Sequence, residues 1–314
     1  MTDRLLVRSM TLESEGVLAV ELVDPSGREL PAWEPGAHVD VHLAVGLSRQ
    51  YSLSGDPHDR FRYRLGVLRE AAGRGGSAYV HEALRPGDLV EVVGPRNHFR
   101  LEPAASYVFV AGGIGITPIL PMVARAEADG ASWTLVYGGR TASSMAFTGE
   151  LAEYEDRVRL HPQDTHGLLD LDELIGTPRP GTLVYVCGPE ALLKAVEERM
   201  PGWPEGSLHL ERFAVPEAPA RDVADEHAVE VVLAESGRTV MVGPETSILA
   251  ALLADGVDVL NDCTEGICGS CETKVIEGEV DHRDYVLTDR EKAAGDCMMV
   301  CVSRACGQRL VLGL

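Results

Sequence analysis

The sequence predicts a multidomain protein with an antiparallel β-barrel, an α/β domain built on a parallel sheet, and a C-terminal α+β domain. Three observations predict it. The first hundred residues carry short apolar runs separated by Gly/Pro turns, which is typical of a barrel. From about residue 104, apolar runs alternate with helical stretches, which favours a parallel sheet. Near the C-terminus four cysteines have the spacing C-x4-C-x2-C…C.

Composition limits the classes of protein that need to be considered. The chain has 314 residues, which suggests two or three domains, and 49 acidic against 28 basic residues give a net charge of −21. Nucleic acid is therefore not an expected partner, because phosphate binding needs a basic face. A partner with a basic docking patch is expected, although solubility alone also explains the acidity. The chain shows no apolar run of about 18 residues and has seven cysteines, so we expect no membrane segment and a cytoplasmic location.

The barrel domain is predicted over residues 1–103. Residues 17–23 and 38–43 read as strands, and Asp24-Pro25-Ser26-Gly27 reads as a turn. A short helix over 77–82 follows the glycine-rich stretch 73–76.

The α/β domain is predicted over residues 104–214. The rest of the chain is predicted to form a linker and a further domain. Residues 215–228 contain two prolines and scattered charges and are interpreted as a linker. The remaining domain covers 229–314, where a hairpin and a helix precede the cysteine cluster. The predicted elements from 104 onward are strands 107–111, 133–137 and 183–187, a helix ending near 129, a helix over 190–199, hairpin strands 227–233 and 238–242, and a helix over 247–254.

The cysteine spacing is that of a plant-type [2Fe–2S] ligand set. A two-iron cluster needs four thiolates that converge within a few ångströms, and a short loop can surround one side while one distant cysteine closes the other. Gly266 and Gly269 in that loop let backbone amides turn toward the sulfurs. A zinc site more often shows two C-x2-C pairs, and a disulfide framework suits small secreted domains. The predicted metal ligands are Cys263, Cys268, Cys271 and Cys301.

The fourth ligand has two competitors. Cys297 and Cys306 also follow the loop. Cys297 and Cys301 are four residues apart, so they share a face on a helix or a strand, and periodicity does not choose between them. The gap of 29 residues and the surrounding Cys-Val-Ser-Arg-Ala select Cys301.

Two motifs in the barrel domain predict a flavin site. Arg49-Gln50-Tyr51-Ser52-Leu53 resembles the R-x-Y-S-[LT] flavin motif of the ferredoxin reductase-like family. An arginine suits the flavin phosphate, a tyrosine ring suits the isoalloxazine face, and a serine hydroxyl suits its N5 edge. Amides at the start of the short helix form a natural phosphate site. The predicted flavin-binding residues are Arg49, Tyr51, Ser52, Leu53, Gly75, Gly76 and Ser77.

Two further motifs predict a nicotinamide nucleotide site. The segment 112–118, Gly-Gly-Ile-Gly-Ile-Thr-Pro, is not the G-x-G-x-x-G fingerprint but resembles the A-G-G-x-G-[IL]-[TA]-P motif of the same reductases. Cys187-Gly188-Pro189 resembles their C-G-P motif, although Cys187 taken alone reads as a buried structural cysteine. The predicted nucleotide-binding residues are Gly113, Gly115, Thr117, Pro118, Arg140, Cys187, Gly188 and Pro189.

The order of these parts resembles the phthalate dioxygenase reductase-like family, which also contains the reductase component of vanillate demethylase. The resemblance covers essentially the whole chain and implies FMN, NADH, one [2Fe–2S] cluster and a β-grasp ferredoxin domain. It also implies that Ser52, Cys187 and Phe213 lie at the reacting centre, where Phe213 is equally well explained as a core residue. Arg140, Ser143 and Ser144 stand where these reductases usually carry an acidic residue, so NADPH remains open as the donor.

The predicted function is electron transfer from NADH through FMN and the cluster to a partner oxygenase. The resemblance favours a Rieske-type oxygenase. Three alternatives remain: a cytochrome P450 as the acceptor, a carrier or redox sensor that uses only the cluster, and a hydroxylase that oxidises a substrate itself.

Overall fold

The structure is a computed structural model that describes residues 2–71, 73–215 and 227–314. It divides into two compact units, Met1–Phe213 and Ala214–Leu314. Most of the predicted linker, residues 216–226, lies outside the described residues. The boundary predicted between residues 103 and 104 falls inside the first unit, and the domain limits stay a prediction.

The first part of unit 1 is an antiparallel barrel. Its six strands have the order β4-β3-β6-β1-β2-β5, and alternating side chains fill an apolar interior. An antiparallel bridge between Leu53 and Leu65 joins the end of β4 to β5 and so connects the two edges. The elements are β1 Thr2–Ser14, β2 Val17–Val23, β3 His38–Ala44, β4 Leu47–Ser52, β5 Arg62–Leu68, α1 Gly76–Glu82 and β6 Leu89–Arg96.

The second part of unit 1 is a five-stranded parallel sheet with the order β11-β10-β7-β8-β9. The chain begins in the middle with β7, moves to one edge through β8 and β9, and then returns to β10 on the other side. The elements are β7 Ser106–Gly112, α2 Ile116–Ala128, β8 Ser132–Gly139, α3 Thr148–Leu151, β9 Val158–Pro162, α4 Gln163–His166, α5 Leu171–Ile175, β10 Thr182–Cys187, α6 Glu190–Glu197 and β11 Leu208–Glu211.

The order of this sheet predicts where a ligand binds. Strand order reverses between β7 and β10, and open α/β sheets bind ligands beyond the carboxyl ends of the strands at such a point. The segment 112–118 follows β7, and Cys187-Gly188-Pro189 follows β10. The topology therefore brings both nucleotide motifs to the expected crevice.

Unit 2 is an α+β domain around a mixed five-stranded sheet with the order β13-β12-β18-β14-β16. Strands β12 and β18 run parallel, and the other neighbouring pairs run antiparallel. Ser247 caps α7 by accepting the Ala250 N–H, as expected for a serine at this position. The elements are β12 Val229–Leu233, β13 Thr239–Val242, α7 Ile248–Ala254, β14 Glu272–Glu277, β15 Val280–Asp281, α8 Asp289–Ala294, β16 Cys297–Met299, β17 Arg304–Ala305 and β18 Arg309–Leu312.

The fold class predicted from the sequence is confirmed: an antiparallel barrel, a parallel α/β sheet and an α+β domain follow one another. In the part of the chain that the structure describes, no helix has both the length and the hydropathy to cross a membrane.

Candidate functional site

The two nucleotide motifs pack against each other without room for side chains. A Cβ atom on Gly112 would lie 2.7 Å from Pro189 Cδ, and one on Gly115 would lie 2.2 Å from the Cys187 carbonyl oxygen. Gly113 has a φ of 55° and open space at its Cβ position. The glycines therefore permit a close approach of backbone to backbone here, and they leave Gly113 facing open space, as a bound dinucleotide requires.

The predicted Thr117 and Pro118 lie at the start of α2 and are both buried. The Thr117 hydroxyl donates to the Ile114 carbonyl at 2.9 Å, which closes the turn before the helix. A Cβ on Gly66 of β5 would lie only 2.6 Å from the Thr117 Cγ2 atom. Thr117 thus fixes the nucleotide loop against the barrel.

The two flavin motifs also meet. The Arg49 guanidinium donates to the Ser48 carbonyl at 2.5 Å and to the Arg74 carbonyl. Its side chain covers Gly76, because a Cβ there would lie 2.4 Å from Arg49 Cγ. The guanidinium therefore stands beside the first amides of α1, where a cation and N–H donors suit a phosphate.

The other residues of the flavin motifs have different surroundings. Within the described residues, the buried Tyr51 hydroxyl has no hydrogen-bond partner, and burial raises its pKa. Such an orphaned donor fits a site whose ligand supplies an acceptor. The Leu53 side chain is buried in the barrel core, and its N–H donates to the Ala37 carbonyl at 2.8 Å. The Ser77 hydroxyl accepts the Glu70 N–H at 3.1 Å.

A carboxyl group that the sequence analysis missed joins the flavin and nucleotide motifs. Glu211 ends β11 and pairs in register with Cys187 of β10. Ser52 Oγ donates to Glu211 Oε2 at 3.4 Å, and Cys187 Sγ lies 3.8 Å from the same oxygen. Residues distant in sequence thus converge at one point. The only signal in the sequence was one acidic residue at the end of a strand, two residues before Phe213.

The local electrostatics favour a neutral Glu211 at pH 7. Burial raises the pKa of Glu211 to about 8, and the hydrogen bonds from Ser52 and Cys187 lower it only in part. Burial also raises the pKa of the Cys187 thiol, and the nearby Glu211 carboxyl raises it further. All three groups are therefore neutral hydrogen-bonding groups at pH 7.

Phe213 follows two residues after Glu211 and is 43% exposed, so it is not a core residue. The chain before it is held by Arg212, which pairs with Glu190 at 3.3 Å and Glu197 at 2.8 Å on α6. Phe213 therefore follows the carboxyl end of β11, and the nucleotide motifs follow the carboxyl ends of β7 and β10 in the same sheet.

In the loop after β8, both serines have hydrogen-bond partners within the protein. Ser144 forms a capping box with Thr141, and Ser143 Oγ donates to Glu15 Oε2 at 3.0 Å. Arg140 is exposed, and its carbonyl accepts the Asp164 N–H at 3.1 Å. Asp164, in the first turn of α4 after β9, is therefore joined to the loop after β8 through its backbone.

The cysteine loop of unit 2 turns its backbone inward. Glu265 N–H donates to Cys263 Sγ at 3.3 Å, and Ser270 N–H donates to Cys268 Sγ at 3.4 Å. Gly266 and Gly269 have φ values of 74° and 73°, in the left-handed region where glycine is favoured. The amides and sulfurs therefore have the relation expected for cluster ligands.

The four predicted ligands form two close pairs. A hydrogen bond with Cys263 lowers the pKa of Cys268, and one with Cys301 lowers the pKa of Cys271. The same hydrogen bonds raise the pKa of Cys263 and of Cys301. Two sulfurs for each of two irons is the donor set that a [2Fe–2S] cluster requires.

The competing cysteines are placed elsewhere. Cys297 lies on β16, where burial and the neighbouring Glu272 raise its pKa to about 11. Cys306 is exposed. Among residues 2–71, 73–215 and 227–314 there is no group of three or more His, Cys, Asp or Glu arranged for a single metal ion.

Comparison with known families agrees with these sites. The model of an oxidoreductase NAD-binding domain matches residues 109–198. The model of a 2Fe-2S iron-sulfur cluster binding domain matches residues 231–306. The two matches cover the nucleotide motifs and all four paired cysteines.

Relatives match over nearly the whole chain. Phenoxybenzoate dioxygenase subunit beta of Ectopseudomonas oleovorans is 44% identical over 312 residues, which is 99% of this chain and 97% of the relative. Phthalate dioxygenase reductase of Burkholderia cepacia is 39% identical over 317 residues, with coverage of 99% and 97%.

Solved structures give the same result. The structure of phthalate dioxygenase reductase, described as modular for electron transfer from pyridine nucleotides to [2Fe–2S], has a TM-score of 0.72 and 39% identity, with coverage of 100% of this chain and 98% of that chain. An intact type IV self-sufficient cytochrome P450 monooxygenase has a TM-score of 0.95 and 46% identity, but this chain spans only 41% of its length.

The motifs, the paired cysteines and these matches lead to one assignment. The chain belongs to the phthalate dioxygenase reductase family of NAD(P)H-dependent flavin iron–sulfur oxidoreductases, and its cofactors are FMN, a [2Fe–2S] cluster and NADH.

Proposed function

We propose that this protein is the reductase component of an oxygenase system, and that it passes electrons from NADH through FMN and a [2Fe–2S] cluster to an oxygenase. The observation that carries the proposal is the meeting of Ser52, Cys187 and Glu211, because it joins a flavin motif to a nucleotide motif. The cluster-binding domain in the same chain would pass the electrons to the oxygenase.

The cofactors supply the redox chemistry: when bound, FMN takes the two electrons of a hydride from NADH and releases them singly to the cluster. The protein binds and orients them. Arg49 and the amides at Gly75, Gly76 and Ser77 would hold the FMN phosphate, and the Tyr51 ring would lie against the flavin. Ser52 would lie at the reacting edge, and its hydroxyl could donate there when a protonated Glu211 donates to Ser52 Oγ instead of accepting from it.

The nucleotide side is assigned in the same way. Gly113, Gly115 and Thr117 shape the loop that receives NADH, and Pro118 starts the helix behind it. Cys187, Gly188 and Pro189 form the opposite wall. Phe213 would lie at the flavin, since its exposed ring is available for stacking.

The metal ligands are Cys263, Cys268, Cys271 and Cys301, and the domains are 1–103, 104–214 and 229–314, with 215–228 as a linker. The break between β6, which ends at Arg96, and β7, which begins at Ser106, supports the first boundary. We assign the protein to the cytoplasm, because seven cysteines, four of them the proposed cluster ligands, suit a reducing compartment.

The oxygenase is of the Rieske type in this proposal, since the relatives include reductases of phthalate 4,5-dioxygenase and vanillate O-demethylase. A cytochrome P450 is the second candidate, because this chain matches 41% of a self-sufficient cytochrome P450 monooxygenase with a TM-score of 0.95.

The test begins with anaerobic addition of NADH to the purified protein. Bleaching of the flavin and the appearance of the EPR signal of a reduced cluster support the proposal, whereas a cluster-only carrier stays oxidised. Purified Rieske-type oxygenases and P450s are then offered in turn, with product formation as the readout. Turnover of P450s alone would replace the Rieske-type assignment.

A further inference from the structure

Cys301 is separated from the cysteine loop, residues 263–271, by 29 residues. Contacts other than the chain itself must therefore hold Cys301 close to this loop. The middle of this segment contains Asp284, whose side chain is fully buried. A carboxylate without solvent contact is costly unless several donors satisfy it. The donors around Asp284 come from separate parts of unit 2.

The first set of contacts fixes a turn. Asp284 Oδ2 accepts the N–H groups of Val286 at 3.2 Å and Leu287 at 2.8 Å. Lys292 Nζ donates to the Asp284 carbonyl at 2.8 Å from α8. The turn 284–287 is therefore held from both its side chain and its backbone.

The second set of contacts involves the cysteine loop and the residue after Cys301. Tyr285 N–H donates to the Gly266 carbonyl at 2.9 Å, inside the cysteine loop. A Cβ on Gly266 would lie 3.2 Å from Asp284 Cα and 2.6 Å from Val302 Cγ2. The loop, the turn and the residue after Cys301 thus stack without space between them.

The third contact closes the arrangement. Ser303, two residues after Cys301, donates from Oγ to Asp284 Oδ1 at 3.4 Å and accepts the Arg283 N–H at 3.1 Å. Both Ser303 and Asp284 are buried. One carboxylate therefore links the segment of Cys301 to the turn that rests on the cysteine loop.

We propose that Asp284 is a positioning residue for the [2Fe–2S] cluster, which acts through Ser303 and Gly266 to set the separation between the cysteine loop and Cys301. The inference rests on the ligand set given under the proposed function. It assigns no contact between Asp284 and the cluster itself.

The test compares Asp284→Ala, Asp284→Asn and Ser303→Ala in the full-length protein, with the exposed Asp289→Ala as the matched control. Iron content, the EPR spectrum after dithionite reduction and the rate of iron loss to a chelator are measured. Thermal unfolding of the iron-free proteins and flavin content report folding.

Asp284→Ala is expected to raise the rate of iron loss roughly 10- to 100-fold, the range found for metal affinity when a residue that orients metal ligands is removed. Asp284→Asn keeps an oxygen for the Val286 and Leu287 amides and is expected to restore most of the iron. Ser303→Ala is expected to shift the EPR g values, a change that a loss of stability alone would not cause, and to lower the unfolding midpoint of the iron-free protein, because two buried hydrogen bonds are lost. Asp289→Ala is expected to match the wild type.

Wild-type iron content, EPR spectrum and iron-loss rate in Asp284→Ala would overturn the inference. If Asp284→Ala does not fold, Asp284→Asn and Ser303→Ala test the inference instead. Wild-type EPR spectra and iron-loss rates in both of these variants would overturn the inference. A wild-type protein that binds no cluster would instead refute the proposed function.

Discussion

At the scale of single residues, Glu211 carries the clearest pH dependence. Its pKa rises from an ordinary value near 4.5 to about 8, because its half-buried position removes water that would stabilise the charged carboxylate. The unfolded chain loses this proton at lower pH than the folded one, so the free energy of unfolding falls as pH rises between these values and levels off above about 8. Hydride transfer also adds negative charge to the flavin, which an ionised Glu211 opposes.

We therefore expect the rate of flavin reduction at saturating NADH to fall as pH rises through about 8, and Glu211→Gln to lack this fall. Stopped-flow absorbance over a pH series checks the rate, and thermal unfolding over the same series checks stability. The assignment fails if the glutamine variant keeps the wild-type inflection.

Cys301 is the proposed fourth ligand of the cluster. A methyl group does not replace a thiolate ligand, so Cys301→Ala is expected to lose the cluster, while NADH still reduces the flavin in unit 1. Cys297→Ala and Cys306→Ala are the matched controls and are expected to keep the visible spectrum and the EPR signal. An intact cluster in Cys301→Ala, with loss in Cys297→Ala, would move the fourth ligand to position 297.

Asp164 is expected to select the donor. It stands at the carboxyl end of β9 beside Arg140, on the edge where the nucleotide motifs lie. A carboxylate there accepts hydrogen bonds from a ribose diol and repels a 2′-phosphate. NADH is expected to exceed NADPH in kcat/KM by at least tenfold, about 1.4 kcal/mol.

Asp164→Ser is expected to reduce this ratio, and the exposed Asp156→Ser is expected to leave it unchanged. Steady-state kinetics with both nucleotides check the ratios. A wild-type enzyme that prefers NADPH tenfold would contradict the donor assignment.

At the scale of elements, Arg64 of β5 connects the end of the flavin motif with α3 of the α/β part. It pairs with both oxygens of Glu150 on α3, with Nη1–Oε1 2.6 Å and Nη2–Oε2 2.9 Å, and donates to the Ser54 carbonyl at 2.5 Å. Its guanidinium also lies 5.0 Å from the Phe147 ring. Ser54 comes two residues after Ser52, so this contact connects the flavin motif to α3.

Arg64→Met is expected to lower the stability of unit 1 by about 1 kcal/mol or less, because Glu150 is partly exposed and water screens the pair. Its larger effect is expected on hydride transfer, where a small misplacement of the reactants is costly. A double-mutant cycle with Glu150→Gln measures the coupling in unfolding and in the stopped-flow rate. Independent, additive effects of the two substitutions would show that the pair does not act as a unit.

At the scale of the whole molecule, charge governs the encounter with the oxygenase. Residues 221–314 carry 18 acidic and 8 basic side chains, a net charge of −10, and Asp262 and Glu265 flank the first cluster cysteine. Electron transfer to the partner is expected to slow as salt is raised, because ions screen the attraction to a basic patch. Rapid-mixing measurements from low to high ionic strength check this. A flat rate would leave solubility as the reason for the acidity.

The sequence alone determined the cofactors and the order of the parts. Cys263, Cys268 and Cys271 lie within nine residues, and the flavin and nucleotide motifs are equally local, so their chemistry can be read from short segments. The periodicity of apolar residues predicted strands such as 17–23 and helices such as 247–254 for the same reason, since a strand or helix is set by neighbours in sequence.

Only the tertiary structure decided which distant side chains meet. Glu211 reaches Ser52 and Cys187 because β11 is added beside β10 and the barrel packs on the sheet, and no local pattern encodes that strand order. The buried Asp284 and the pair of Arg64 with Glu150 are likewise joined across long stretches of chain. A polar group acquires such a partner when packing removes it from water and requires its hydrogen bonds to be satisfied, which is a property of the assembled core rather than of any segment.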